Sequence, residues 1–397
     1  MASSKDENEG QYKNVIELVD VVLRNGISKR ASDIHFEPDR NAFNVRFRID
    51  GFLYPVESFE KRAQEEIISR IKVLARMAIM ERRFPQDGHF EASDGKKVYN
   101  VRVSTFPTLY GEAVVLRLLN REDVLVDFNS LGFEDDQLEI VKEIISSPYG
   151  MCIVTGPTGS GKTTLLYSIL NALNKSETNI VTVEDPVEFQ MNQVRQMQIA
   201  ENIGLDYPKA LRVIARQDPD VVMLGEIRDS QTIQMAVQTA LSGVLMFTTF
   251  HTFDVAGLVI RLMEMGVPRS VVSHIIIGVI SSRLVRKICP TCSAPYTVSD
   301  FEKNMLKETG VEGGFKKGKG CENCHETGYL GQTGIFEIVQ FDEEIKSYIM
   351  EEKAFSGMLD LIRKKKIKTL WEAAMFKVKN GITTLDEVVR VIGHPRK

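Results

Sequence analysis

Met151-Cys152-Ile153-Val154-Thr155-Gly156-Pro157-Thr158-Gly159-Ser160-Gly161-Lys162-Thr163-Thr164 is the stretch on which the reading of this 397-residue chain turns. The pattern GxxxxGK[ST] is complete from Gly156 to Thr163; it follows a short apolar run and opens a helix-like segment. The glycines let successive backbone N–H groups curl round an anion, and the helix start adds positive potential there. Lys162 is suited to neutralise the β- and γ-phosphates of a nucleotide, and the Thr163 hydroxyl to ligate Mg²⁺. The candidate binding set is therefore Gly156, Pro157, Thr158, Gly159, Ser160, Gly161, Lys162, Thr163 and Thr164.

Further apolar runs follow at Ile180 to Val183, Val221 to Leu224 and Val244 to Thr248, with helical spacing between them. Such alternation predicts an α/β fold with a parallel sheet covered on both faces. A phosphate loop hydrolyses nothing alone, and acidic residues stand just past these runs, where sheet and nucleotide meet. Val221-Val-Met-Leu-Gly225-Glu226 has the Walker-B shape, so Glu226 is read as binding Mg²⁺ through water. Within Glu184-Asp185-Pro-Val-Glu188, Glu188 is read as the residue that positions the attacking water. Glu184 and Asp185 leave two readings open, catalytic work or loop charges and helix caps. His251, after Thr248 and Thr249, is either structural or a neutral donor sensing the γ-phosphate.

Upstream the pattern differs. Val15, Leu18, Val19, Val22 and Leu23 predict a helix stopped at Gly26; Ser32 to Phe36 and Phe43 to Ile49 predict strands, with a turn at Asp50-Gly51 leading into Phe52 to Val56. A second helix over Ile67 to Ala75 and strands at Tyr99 to Thr105 and Ala113 to Leu119 complete a small α+β domain. The expected organisation is a disordered N-terminus (1–10), that domain (11–120), a linker (121–130) and an ATPase domain (131–397). That last domain is expected to hold a module with two CxxC pairs (286–335), with a surface loop at Gly310 to Gly320, and a helical C-terminal region (340–397).

The chain has 50 basic and 54 acidic residues, a net charge of −4, which argues against bulk attraction to nucleic acid. The charge-free stretch Ser230 to Phe253 is interrupted by glutamines and is read as helix, turn and strand rather than a membrane span. No apolar segment follows Met1, so no secretory signal is expected, and the compartment is read as cytoplasmic. Four of the five cysteines form Cys289-Pro-Thr-Cys292 and Cys321-Glu-Asn-Cys324, with residues 293–320 between. One such pair could be redox-active; two favour a structural Zn²⁺ held by four thiolates. Cys152 is read as a core residue.

Taken together these segments resemble the secretion ATPases of type II secretion and type IV pilus assembly (the GspE/PilB type), from about Tyr12 to Gly393. Ala31-Ser-Asp-Ile-His-Phe-Glu-Pro38, Pro85-Gln-Asp-Gly88, Arg102-Val-Ser-Thr-Phe-Pro and Gly111-Glu-Ala-Val-Val-Leu-Arg117 are similar to that family's second N-terminal domain. Arg216-Gln-Asp-Pro-Asp220, Gly225-Glu-Ile-Arg-Asp229 and Gly381-Ile-Thr-Thr-Leu-Asp-Glu-Val388 match its later signatures. The resemblance implies a RecA-like P-loop NTPase core behind a PAS-like α+β domain, hydrolysing ATP with Mg²⁺. It implies Glu188 as catalytic glutamate, Glu226 as Walker-B acid, His251 as the His-box histidine, and Arg102 and Arg117 as arginines reaching the triphosphate when the domains close. Arg212, Arg216, Arg228 and Arg261 match family arginines near the nucleotide or the domain interface, and Arg216 is taken as nucleotide-binding. A homo-hexamer is implied, held peripherally at the inner membrane by a platform protein that it drives to assemble pilins. The zinc module separates it from pilus retraction ATPases, which typically lack one.

Two positions depart from the family, Val244 where it has His after Gly, and Phe253 where it has Asn. The extra N-terminal docking domain of many relatives is expected to be absent or removed. The basic run Arg363 to Lys368 is read as a solvated helix face or a contact for the platform or acidic lipid. The rival reading is a RecA-like nucleic-acid translocase or DNA-uptake motor; few clustered aromatics and no stacking platform count against it.

Overall fold

A computed structural model of the chain describes residues 14–95, 97–120, 126–252, 254–306, 313–351 and 356–394. The expected disordered segment 1–10 and Phe253 lie outside them. The described residues form two compact units, one within residues 1–123 and one within 124–397.

The first unit is a sheet with two helices on one face. Its strands are β1 (Asp33–Pro38), β2 (Ala42–Ile49), β3 (Phe52–Glu60), β4 (Gln86–Ser93), β5 (Val98–Thr108) and β6 (Gly111–Asn120), all antiparallel, in the order β3-β2-β1-β6-β5-β4. Alternation decides which face is buried. Phe36, Phe43, Val45, Phe47, Val101 and Leu116 are inaccessible to solvent and pack against helices Val15–Ser28 and Gln64–Leu74. Each buried Phe contributes roughly 1.5–3 kcal/mol. The first helix starts where Asn14 accepts from the N–H of Glu17, and it runs through Gly26 rather than stopping there. Gly26 serves close packing instead: a Cβ would lie 2.6 Å from Ile34 Cδ1. β4 was not foreseen; its residues alternate around only Phe90 and Ala92, as suits an edge strand.

The second unit is built on β7 (Gly150–Thr155), β8 (Ile180–Glu184), β9 (Val194–Gln198), β10 (Val221–Leu224), β11 (Leu245–Phe250), β12 (Ile276–Ile288) and β15 (Tyr329–Gln340). Their order is β15-β12-β7-β11-β10-β8-β9, parallel throughout except for the antiparallel β12–β15 pair. β7, β8, β10 and β11 are buried on both sides, which explains their continuous apolar sequence. One face, with Ile153, Val183 and Leu224, packs on helices Tyr207–Ile214, Ser230–Leu241 and Val255–Glu264; the other, with Val154, Met223 and Phe247, packs on Asp135–Ile145 and Lys162–Leu173. β8 follows β7 in the chain but lies three places away, while β12 returns to β7's other side. That divergence opens a crevice at the carboxyl ends of the strands, beside β7.

Several expectations need correction. β12 and β15 were not read as strands. Of the stretch read as a linker, 121–125 lies outside the described residues, whereas Phe128 is buried with Leu131 in the core of the second unit, and the carbonyl of Val126 accepts from Ser168 Oγ. The supposed loop 310–320 falls partly outside the described residues, but Lys316–Gly318 forms β14, which pairs with β13 (Ser293–Pro295). Helices Glu343–Met350, Ser356–Lys364, Leu370–Lys379 and Leu385–Ile392 complete the unit. No described helix is long and apolar enough to cross a membrane.

Candidate functional site

The phosphate loop curls from the end of β7 into helix Lys162–Leu173, with Gly156, Gly159 and Gly161 all at positive φ (150°, 76° and 85°). No Cβ fits at Gly156: it would lie 2.5 Å from Ser160 Oγ and 2.7 Å from the Ser282 carbonyl. Lys162 Nζ donates to the carbonyls of Gly156 (2.8 Å) and Pro157 (2.9 Å). Burial lowers the Lys162 pKa, Glu226 opposes that, and Arg283 adds to it.

The adjoining cleft, about 160 Å³, is lined by Lys162, Thr163, Tyr167, Asp185, Glu188, Glu226 and His251, among others. Segments far apart in sequence thus converge at the carboxyl ends of the strands. Glu226, past β10, is four-fifths buried; it forms an ion pair with Arg228 and lies 3.3 Å from His251 Nε2. Arg228 also stands 3.7 Å from Asp185. The segment is pinned on both sides, because Gly225 N–H donates to Val183 O (2.8 Å) and Thr249 Oγ1 to Gly225 O (2.7 Å). Asp229 has a structural task, accepting from the backbone N–H of Thr232 at the start of helix Ser230–Leu241.

The two open carboxylates separate here. Asp185 is partly exposed and faces Arg228. Glu184 is buried and fully engaged, accepting from Tyr167 Oη, Thr182 Oγ1 (2.6 Å) and Gln196 Nε2 (3.1 Å). Tyr167 also accepts from the backbone N–H of Glu188 at 3.3 Å, so this buried set anchors the loop that carries Glu188. Burial, then the Glu184 charge, raises the Tyr167 pKa and keeps the phenol protonated. Tyr167 was missed from sequence; its only signal is one aromatic hydroxyl on the sheet-facing side of a helix.

Other expected residues do not join the cleft. Arg216 is exposed past the C-terminal end of helix Tyr207–Ile214, donating to the Arg212 carbonyl at 3.1 Å; it is not among the cleft residues. That helix begins at the cleft with Tyr207 and leads to the start of β10, so Arg212 and Arg216 lie toward the amino-terminal ends of the strands. Arg261 pairs with Glu264 (3.1 Å). The basic run is largely neutralised within the chain: Lys365 pairs with Asp342 and Glu344, and Lys368 with Glu134 and Asp136.

In the first unit, the open sheet face carries a cross-strand row Arg48–Asp33–Arg117–Arg102–His89. Arg117 Nε donates to Asp33 (2.9 Å), and its side chain stays more than half exposed. Arg102 and Arg117 are therefore neighbours on one cationic surface.

Cys289, Cys292, Cys321 and Cys324 converge with all four Sγ atoms within 4.8 Å of one another. Sulfur atoms at tetrahedral corners about 2.3 Å from a zinc ion are about 3.8 Å apart. The observed separations are 3.9 Å (Cys289–Cys321), 3.8 Å (Cys292–Cys324) and 3.7 Å (Cys321–Cys324), so the donor set fits that ion. Burial opposes ionisation of Cys324, but backbone N–H groups of Cys321 and Gly328 bring its pKa down to about 7. Cys152 is a core thiol whose pKa burial pushes up to about 12.

Residues 8–390 match the family described as type II/IV secretion system protein. The chain is 42% identical to type II secretion system protein E of Xanthomonas campestris pv. campestris, over 98% of this chain and 70% of that one. It is 41% identical to the type IV pilus assembly ATPase PilB of Myxococcus xanthus, over 94% and 67%. Among solved structures, the Legionella pneumophila ATPase DotB shares the fold (TM-score 0.72, 20% identity, 96% of each chain), and the ADP-bound pilus retraction motor PilT superposes with a TM-score of 0.64 at 25% identity, over 95% of this chain and 97% of that one. With a complete phosphate loop and acidic cleft behind these likenesses, the chain belongs to the type II/IV secretion system protein family and is an ATPase.

Proposed function

We propose that this ATPase is a hexameric motor that couples ATP hydrolysis to assembly of pilin or pseudopilin subunits, in type II secretion or type IV pilus extension. The observation that carries the reading is the convergence of Lys162, Thr163, Glu188, Glu226 and His251 on one cleft. Lys162 and the loop N–H groups hold the phosphates; Thr163, and Glu226 through water, would hold Mg²⁺, which supplies charge neutralisation at the reacting phosphoryl group. Glu188 orients water for in-line attack, and His251, beside Glu226, responds to the γ-phosphate. Arg102 and Arg117 complete neutralisation when the domains close, which makes nucleotide state and domain position interdependent. The four thiolates hold a structural Zn²⁺. The assembly works in the cytoplasm against an inner-membrane platform protein, in keeping with relatives named for secretion and pilus assembly.

Steady-state ATPase and sedimentation test this. Wild type is expected to turn over and to form a hexamer with nucleotide. Glu226→Gln is expected to lose roughly a hundredfold or more in kcat while still binding nucleotide. Equal rates for the two proteins would remove the assignment of Glu226, and ATPase stimulation by single-stranded DNA would favour a translocase.

A further inference from the structure

The neighbour of β7 on its outer side, β12, backs the end of β7 and the phosphate loop with Ser281, Ser282 and Leu284. Ser281 Oγ lies 2.9 Å from Thr155 Oγ1. Ser282 Oγ lies 3.4 Å from both Ser160 Oγ and the Thr155 carbonyl. The Ser282 carbonyl backs onto Gly156, and a Cβ on Gly161 would meet Leu284 at 3.2 Å. Arg283, the remaining residue, is buried at 8% exposure, a rare environment for an arginine. Its Nη1 donates to that same Ser282 carbonyl at 2.8 Å.

A buried guanidinium needs a counter-charge, and one stands across the ladder. Glu337 on β15 pairs with Ser281, and side chains two apart on β12 share its face. Glu337 is half-buried and accepts from the backbone N–H of Leu370, at the first turn of helix Leu370–Lys379. Burial, chiefly, raises the Glu337 pKa, while Arg283 pulls it back. Arg283 in turn adds to the positive field felt by Lys162.

We propose that Arg283 is a positioning residue for nucleotide binding: from beneath, it fixes the Ser282 carbonyl against Gly156 and keeps a permanent positive charge behind Lys162. This rests on ATP binding at the phosphate loop. Support of the loop acts on the bound phosphates in ground and transition states alike, so its loss appears in KM more than in kcat.

The test uses the full chain, with MgATP kinetics, MgADP titration calorimetry and thermal unfolding. Arg283→Gln is expected to raise KM for MgATP and Kd for MgADP by roughly tenfold, with kcat changed less than about threefold. Arg283→Lys, which keeps the charge, should recover most of that affinity. Arg283→Gln/Glu337→Gln removes both partners, so it should regain thermal stability but not affinity. A merely structural pair predicts that affinity returns together with stability, so wild-type KM in the double variant would overturn the proposal, as would Arg283→Lys binding as weakly as Arg283→Gln. Lys162→Ala separates the underlying reading: undiminished MgADP binding there would displace the nucleotide from the loop, whatever Arg283 does.

Discussion

Tyr167→Phe removes a single oxygen and leaves the ring, so it isolates what that hydroxyl does. The Tyr167 side chain is fully buried, and its hydroxyl donates to the buried Glu184 carboxylate while accepting from the backbone N–H of Glu188 at 3.3 Å. The N–H of Phe189 and Gln196 Nε2 approach it at 3.5 and 3.4 Å, long enough to count for little. The bond to Glu184 dominates: a hydrogen bond to a charged group is worth about 1.5–3 kcal/mol, and Glu184 keeps Thr182 and Gln196 when it is lost. A loss of about 2 kcal/mol in a unit of this size corresponds to a fall in Tm of about 3–4 °C. The second consequence is functional. Without its anchor the backbone at Glu188 shifts, and a misplacement of tenths of an ångström in a water-positioning group costs roughly tenfold in kcat, with KM for ATP little changed. Thermal unfolding and steady-state ATPase on one preparation check both. If Tyr167→Phe matched wild type in Tm and kcat, the anchoring argument would fall.

Further outcomes follow from other sites. Purified protein is expected to carry one zinc per chain by elemental analysis, and Cys324→Ser to lose the metal and several kcal/mol of stability, of the order set by structural zinc sites. Glu112→Gln is expected to cost about 3–5 kcal/mol in chemical denaturation, because Lys72, 1% exposed, is held 2.7 Å from Glu112 and would be left buried and unpaired; Lys72→Met/Glu112→Leu should recover most of it. Glu387 is buried, which alone would raise its pKa, but hydrogen bonds from Arg390 and Arg286 outweigh that and hold it below the usual glutamate range. Its folded pKa is depressed, so its stabilisation is present above the ordinary value and lost as pH falls through the folded one. The stability gap between wild type and Glu387→Gln, read from urea midpoints, should therefore close on acidification. Gly156→Ala should abolish nucleotide binding while leaving far-ultraviolet circular dichroism unchanged.

Where a residue's task is set by its immediate neighbours in sequence, it could be read in advance. The turn of the phosphate loop, the place of Glu226 past a buried strand and the doubly buried strands β7, β8, β10 and β11 are local patterns of this kind. The paired CxxC also announced itself, although only the fold brings the four sulfurs to tetrahedral spacing. Glu184 was ambiguous because its partners come from a helix 17 residues upstream and a strand 12 residues downstream, a convergence no window captures. β12 escaped notice because Ser281, Ser282 and Arg283 interrupt its apolar run, and those are the residues turned to work against the loop. Arg216 matched a motif, yet its helix carries it away from the cleft.

β12 is 13 residues long, with the loop-supporting serines near its middle and Cys289 directly beyond its end. From Arg283 to Cys289, the first residue of the sulfur cluster, is roughly 20 Å of extended backbone. An extended chain laddered to β15 along this stretch resists stretching, so the two ends keep their distance like the ends of a ruler. A load on the four-cysteine knuckle would thereby reach the strand that backs the phosphate loop.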